Sequence, residues 1–516
     1  MNSTQPESHS PSSRVPTCFL WIVAACSLGV TALVAARVWR IGIKDEWQWP
    51  YYETPASFVA VLPALILVAL MAGMAALCLR RGLAEKDREV TAVCVFMAIA
   101  LGMILSLGDA APGGRYETIP RVTSPWIAGY HAEAVRIEDM GQYLEHYLER
   151  ISSLKVNVPF GHLADHPAGP VVFHWLVNRA MEQWPHLANR FTPGNPEDYG
   201  RSRAMAERMA GCALSDGEFA GIWASALLFR LAYWLALLPV YLLARRLVSR
   251  EAALLAMVFT ALAPALHLFG PYPDQIFPLL AAFGFLAALR GMQSKSAGWA
   301  AVSGVMITLG LHWTMAFLVM VAMIGIAAVL IEWKHLASVR ERPDWAGWLR
   351  VLLGGGGAFA LCSLLPMVLF GYDVYGVWMR SLSQHREFAV LFPRSYIPWT
   401  LFNPIEFMVF AGVALSGFWL LSAGQDATRW WPARDHDGPA VLPWTLIGVL
   451  VLLNLSGKNL GEVGRLWMFL IPFAAVPAAS ALVALDRRRG WVVACAVVIA
   501  GLQLVFFRLQ LNVLAL

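Results

Sequence analysis

Charge is scarce in this sequence. Of 516 residues only 14% are Asp, Glu, Lys or Arg, against about 25% in a soluble domain. That excludes an ordinary water-soluble globule. With 58% hydrophobic residues the chain reads as a multi-span membrane protein in a lipid bilayer. The net charge of +5 gives no sign of a nucleic-acid partner. Cysteine is sparse too: there are seven, with no CxxC pair. The scatter of Cys18, Cys26, Cys78, Cys94, Cys362 and Cys495 through apolar runs excludes a disulfide framework and a zinc ribbon, and reads as core filling. An internal repeat is also missing.

What is present is a long series of apolar runs. The first, Thr17 to Arg37, follows a polar tail over 1–16 and is too long for a signal-peptide core, so it reads as an uncleaved anchor helix. Others fall near 57–79, 91–108, 229–247, 251–269, 276–290, 298–311, 313–331, 350–370, 400–422, 441–455, 466–485 and 491–507. In lipid each must be a helix, which predicts an all-α polytopic bundle of about 13 spans. The loops "RRGLAEKDRE", "ARRLVSR", "EWKHLASVRERPDW" and "DRRRG" carry the Lys and Arg residues and belong in the cytoplasm. The alternate turns "GPYPDQ" and that at His312 lack Lys and Arg and belong outside.

The rhythm breaks once. Residues 109–220 contain no clear span and divide the N-terminal helices, 17–108, from the C-terminal ones, 221–516. Following an in-to-out helix, this loop is extracytoplasmic. Ile137, Met140, Leu144, Leu148, Ile151 and Leu154 form a helical stripe in it, with Glu138, Asp139, Glu145 and Glu149 elsewhere on the circumference. The pattern predicts amphipathic helices lying on the membrane surface.

Charges at the outer leaflet mark candidate function, because they are costly there. Asp109 ends an apolar helix, where the negative dipole end disfavours a carboxylate. Asp45 and Glu46 form a second acidic pair beside interfacial Trp and Tyr residues. In "GHLADHPAGP", Pro167 suits a helix start, whose N–H groups with a His166 imidazolium would hold a phosphate. His162 and His166, with Asp165 between, leave a divalent metal open as a cofactor, though nothing requires one. Asp274 in "YPDQIF" has the position of an N-cap. Lys458, Glu462 and Arg465 stand at another outer helix start, where cations call for an anion between them. His312 interrupts an apolar stretch too short for two full spans, which predicts two short helices meeting beside a cavity.

In order, these features resemble the C-type (GT-C) glycosyltransferases, the superfamily of protein O-mannosyltransferases and lipid A aminoarabinose transferases. The resemblance rests on an acid ending an early helix, a surface-helix loop, and the His-Pro start "DHPAGP". An Arg230-led helix ("FRLAYWLALLPVYLLARRLVSREAALLA"), "YPDQIF", the turn "GLHWT" and the Arg465-led "GRLWMFLIP" follow. It covers roughly Asp109 to the C-terminus. Two departures stand out: a helix pair precedes the family's first position, and His312 replaces the lysine common at the mid-depth turn. Asp109 matches the family's acid by placement, whereas Asp45-Glu46 matches it by residue type.

The resemblance implies transfer of a sugar from a polyprenyl-phosphate donor to a glycan, lipid or protein acceptor. The setting would be the outer face of a membrane, most simply the bacterial plasma membrane. One carboxylate would deprotonate the acceptor as it attacks the anomeric carbon, inverting it. Arg465, Lys458 and His166 or Arg230 would hold the leaving phosphate. A secondary transporter would also place charges between helices but commonly shows two related halves, and the long loop has no second copy. A ligase or polymerase of lipid-linked glycans would use the same groups and differ only in acceptor.

Overall fold

Helices of this composition must bury some faces in one another and leave others to lipid. The computed structural model describes residues 17–514, apart from 56, 84, 128, 156–157, 338–343, 434–440 and 487–488. Nine helices among the described residues are long and apolar enough to cross a membrane. They are Cys18–Ala35, Phe58–Arg81, Lys86–Gly108, Asp216–Leu247, Pro273–Ser294, Met315–Glu332, Trp345–Phe370, Met468–Asp486 and Trp491–Gln510. A tenth is formed if Tyr396–Ala411 and Val413–Gln425, bent by 115° about Gly412, count as one. The only sheet among the described residues is a hairpin pairing Gly42–Ile43 with Trp47–Gln48.

By length and composition the described residues thus hold nine or ten candidate spans, fewer than the 13 expected. The remaining apolar runs are short helices: Arg250–Ala261, ended before Pro264, then Ala297–Leu311 and Val441–Leu455. Every residue from Ala252 to Ala261 is buried. A helix walled in by others has no bilayer thickness to match, so composition alone overstates its length. Cysteine placement also differs from expectation, since Cys18, Cys26, Cys94 and Cys495 are exposed rather than in the core.

The basic loops gather at one end. Arg80 Nε donates to the Arg489 carbonyl at 2.6 Å, and Arg250 Nη1 to that of Leu83 at 2.8 Å. Arg246 bonds Gln293 at 2.8 Å, and Lys295 bonds Glu332 at 2.7 Å. Glu89 accepts from Tyr241 and Arg245, with Arg250 3.3 Å away.

The long loop lies at the opposite end and is a chain of short helices. Its stripe breaks into Met140–Glu145 and Tyr147–Ser152 at His146. Leu144, Tyr147 and Ile151 pack on Tyr372, Val374 and Val377, while Ile137 and Leu154 join Tyr130 and Val171. The apolar face is therefore covered by protein, not by lipid as the pattern alone suggested. The next membrane helix starts at Asp216, earlier than 221, because Ser215 and Glu218 form a capping box.

Candidate functional site

At the end opposite the basic loops, two arginines, Arg121 and Arg508, flank one buried acid. Glu117 follows the turn after the helix Lys86–Gly108. Arg121, one helical turn on, donates to Glu117 Oε2 at 3.0 Å and to the carbonyls of Leu268 and Gly270 at 2.6 and 2.8 Å. Tyr52 donates to the same carboxylate at 3.0 Å. Arg508, in the last turn of Trp491–Gln510, donates to the Leu107 and Gly108 carbonyls at 2.9 and 3.1 Å. Those carbonyls end the helix, Leu107's meeting only the Asp109 and Ala110 amides besides, so a guanidinium suits them.

Asp109 sits just beyond them. Its side chain is 58% exposed, and Oδ1 is 3.6 Å from Nη2 of the mostly buried Arg230. Arg230 lies flat against Gly108: a Cβ there would come within 2.6 Å of its Cζ. The awkward place of a carboxylate at a helix C-terminus is thus offset by two nearby cations. Arg121, Arg230 and Arg508 lie within electrostatic reach of one another. Three guanidinium charges face only Glu117 and Asp109 here.

Tyr272 connects this group to the next. Its ring is 5.5 Å from the Arg121 guanidinium carbon. Asp274 makes no capping hydrogen bond, contrary to its N-cap position in the sequence, because the extended residue there is Tyr272. Asp274 Oδ2 instead lies 3.6 Å from Arg465 Nε. At 3.6 Å both arginine–carboxylate pairs are too long for hydrogen bonds. Among the described residues, Arg121 Nε, Arg230 Nη2, Arg465 Nε and Arg508 Nη1 are buried with no hydrogen-bond partner. Native interiors leave few such atoms.

Arg465 is held by its turn. Glu406 accepts from the Gly464 amide at 3.1 Å and from Trp49 at 3.0 Å. Glu462, in a left-handed conformation, bonds Arg394 at 2.9 Å rather than Arg465. Lys458 is exposed and forms no ion pair among the described residues.

The histidine-rich stretch starts its helix later than expected. The helix begins at Gly169 with Pro170 in its first turn, not at Pro167. Its leading amides are occupied: Gly169 N–H donates to the His312 carbonyl at 2.9 Å, and Ala168 N–H to the Tyr372 hydroxyl at 3.2 Å. The His166 ring stands edge-on to Tyr130 at 5.7 Å, with Nδ1 3.3 Å from the Trp313 carbonyl. His312 Nε2 is 3.3 Å from the Cys362 carbonyl. Burial first, then Arg465, lowers the His162 imidazole to about 4, so at neutral pH it adds no cation. Burial first, then Asp274, pushes the Tyr130 phenol well above its ordinary value, so it remains a donor. Burial raises Asp165 to about 7 against the opposing pull of Arg380. Among the described residues no three His, Cys, Asp or Glu side chains are grouped to hold a metal.

The early acidic pair is placed elsewhere. Asp45 is exposed in the hairpin turn, at φ 67. Glu46 accepts from the Ser395 amide at 2.8 Å, from its hydroxyl, and from Trp399 Nε1 at 2.7 Å. Those bonds hold the Glu46 carboxylate below the usual range, the Ser395 hydroxyl first among them. Glu46 anchors a helix start and is occupied.

Sequence reasoning missed Glu117, Arg121, Tyr130, Tyr272 and Arg508. Three of these carried a readable signal: Glu117 and Arg121 stand four apart, and Arg508 closes an otherwise apolar run. No family model matches the chain, and no curated protein matches it.

Proposed function

We propose that the chain is an inverting membrane glycosyltransferase of the GT-C type, using a polyprenyl-phosphate sugar donor at the end opposite its basic loops. The observation that carries this reading is an exposed carboxylate, Asp109, beside buried arginine N–H groups that lack protein partners. Such donors suit the oxygens of a phosphate, and in a site shielded from water their charge counts for more. On positive-inside grounds that end faces away from the cytoplasm.

Asp109 takes the proton of the acceptor hydroxyl, and the acceptor oxygen forms a bond to the anomeric carbon. The bond from that carbon to the phosphate oxygen breaks, with its electrons left on the polyprenyl phosphate. Arg465 and Arg230 hold the charge that develops there. Asp274 keeps Arg465 in place, and Tyr130 offers a neutral hydroxyl between Asp274 and Asp165. Glu46 serves as an anchor in this account, and Asp109 as the base. The short helices Arg250–Ala261, Ala297–Leu311 and Val441–Leu455 complete the bundle toward 13 passes.

The test is transfer of radiolabel from polyprenyl-phosphate sugars in membranes containing the full chain. Chain-dependent transfer that disappears with Asp109→Asn is expected. If no donor in a panel of hexosyl and pentosyl polyprenyl phosphates is consumed, the reading fails.

A further inference from the structure

Arg508 lies 400 residues from the carbonyls it caps, yet it is almost wholly buried. Charge in such a place is costly unless it faces opposite charge. Two carbonyls could be capped by a neutral donor. The acid nearest to Arg508 is Glu117, at 3.9 Å, and Glu117 is already bonded by Arg121 and Tyr52. The charge of Arg508 is thus surplus for Glu117. What Arg508 does engage is the last turn of Lys86–Gly108, from which Asp109 projects.

Packing fixes the apolar side of that turn, where Met103, Ile104 and Leu107 are buried, but its carbonyl end has few local bonds. Asp109 is not helical, at φ −101 and ψ 0, and its amide bonds only to the Leu107 carbonyl. Arg508 Nε takes that same carbonyl, and its Nη2 takes the next one. The adjoining Gly108 leaves room for the Arg230 guanidinium on its other side. Arg508 and Arg230 therefore grip the Gly108 peptide region from two helices, Trp491–Gln510 and Asp216–Leu247.

We infer that Arg508 is a positioning residue for Asp109: it fixes the helix end that aims the carboxylate and does not itself touch substrate. This rests on the reading of Asp109 as the base. Without Arg508 the Gly108 carbonyl loses its side-chain cap, that of Leu107 keeps only the amides of Asp109 and Ala110, and the last turn loosens. Displacing a reacting group by about 1 Å can cost on the order of 100-fold in rate.

The experiment uses the full chain with Arg508→Met and Arg508→Lys, read in two ways. Hydrogen exchange of the segment 103–111 should quicken in Arg508→Met, less in Arg508→Lys, with the segment 80–89 unchanged. Transfer, expressed per molecule that binds polyprenyl phosphate, should show kcat down about 100-fold in Arg508→Met at unchanged donor KM. Arg508→Lys should recover part of it, since an ammonium reaches one carbonyl but lacks the fork. A merely structural role predicts fewer binding-competent molecules, each with parental kcat, and that result overturns the inference. Unchanged exchange at 103–111 overturns it as well. If the parent transfers no sugar, the proposed function is what falls, and the exchange measurement still decides whether Arg508 holds the segment.

Discussion

The two ends of the bundle treat their arginines differently. At the basic end, Glu89 accepts from Tyr241 and Arg245, Lys295 meets Glu332 at 2.7 Å, and Asp486 accepts the Gly490 and Val493 amides at 2.6 and 2.8 Å. One orphan atom stands out there, Arg290 Nε, whose guanidinium lies over the Trp299 ring. At the other end Arg121–Glu117 and Arg394–Glu462 close at 3.0 and 2.9 Å, but Arg230–Asp109, Arg465–Asp274 and Arg508–Glu117 stay at 3.6, 3.6 and 3.9 Å, and among the described residues six buried arginine nitrogens there, those of Arg37, Arg121, Arg230, Arg380, Arg465 and Arg508, have no partner. Satisfied pairs hold helices together. The loose pairs of Arg230 and Arg465 keep binding capacity for something that is not protein.

The sharpest way to break this contrast is Asp109→Asn. General-base assistance is typically worth 10²–10⁴-fold, so sugar transfer should fall by about that factor. Thermal unfolding should hardly change, because an uncharged side chain suits a helix C-terminus. Parental turnover in Asp109→Asn would move the base to another acid. Next comes Arg465→Ala, which removes a buried charge-assisted contact worth roughly 2–5 kcal/mol. Use of the lipid-phosphate donor should weaken accordingly, and Arg465→Lys should recover only part. Unaltered donor use in Arg465→Ala would take that side chain out of the site.

The basic end should respond in the opposite sense. Glu89→Ala strands Arg245, and breaking a mostly buried pair costs about 3 kcal/mol. Its unfolding temperature should drop, while transfer per folded molecule stays parental. A selective loss of transfer would erase the distinction between the ends.

The smallest effect is a pH slope. Asp165 is raised from 3.8 to about 7 in the fold, so the folded state binds the extra proton within that window. Stability is greatest at its acidic side and falls as pH rises toward 7, with no further loss above. Asp165→Asn should flatten that slope in thermal unfolding between pH 5 and 8, and an identical slope in both proteins would rule Asp165 out as its source.

Much of the frame was legible in residue order. Lipid forces helices, so composition located the membrane helices, and Lys and Arg in the loops located the basic end. The stripe at Leu144 and Ile151 was legible as a helix face but not as to what covers it, because lipid and the Tyr372–Val377 segment ask for the same side chains. Asp274 and Arg465 were readable singly as charges in costly places; their pairing across 191 positions depends on packing. Glu46 shows the limit of residue type: an acid beside aromatics looked reactive, and three hydrogen bonds to Ser395 and Trp399 make it an anchor. Arg508 was passed over in the sequence, and only the fold brings it to Gly108.

The central claim is that Arg230 and Arg465, whose carboxylate partners stay at 3.6 Å, hold a lipid phosphate. It is tested most directly by phosphorus NMR of polyprenyl phosphate titrated into the full chain in lipid nanodiscs. The parent should shift and broaden the phosphate signal at saturable, equimolar binding. Arg465→Ala should weaken that binding at least tenfold, the low end of a lost charge-assisted contact, and Arg245→Ala at the basic end should leave it at the parental value. Equal binding by all three proteins, or loss only in Arg245→Ala, would contradict the account.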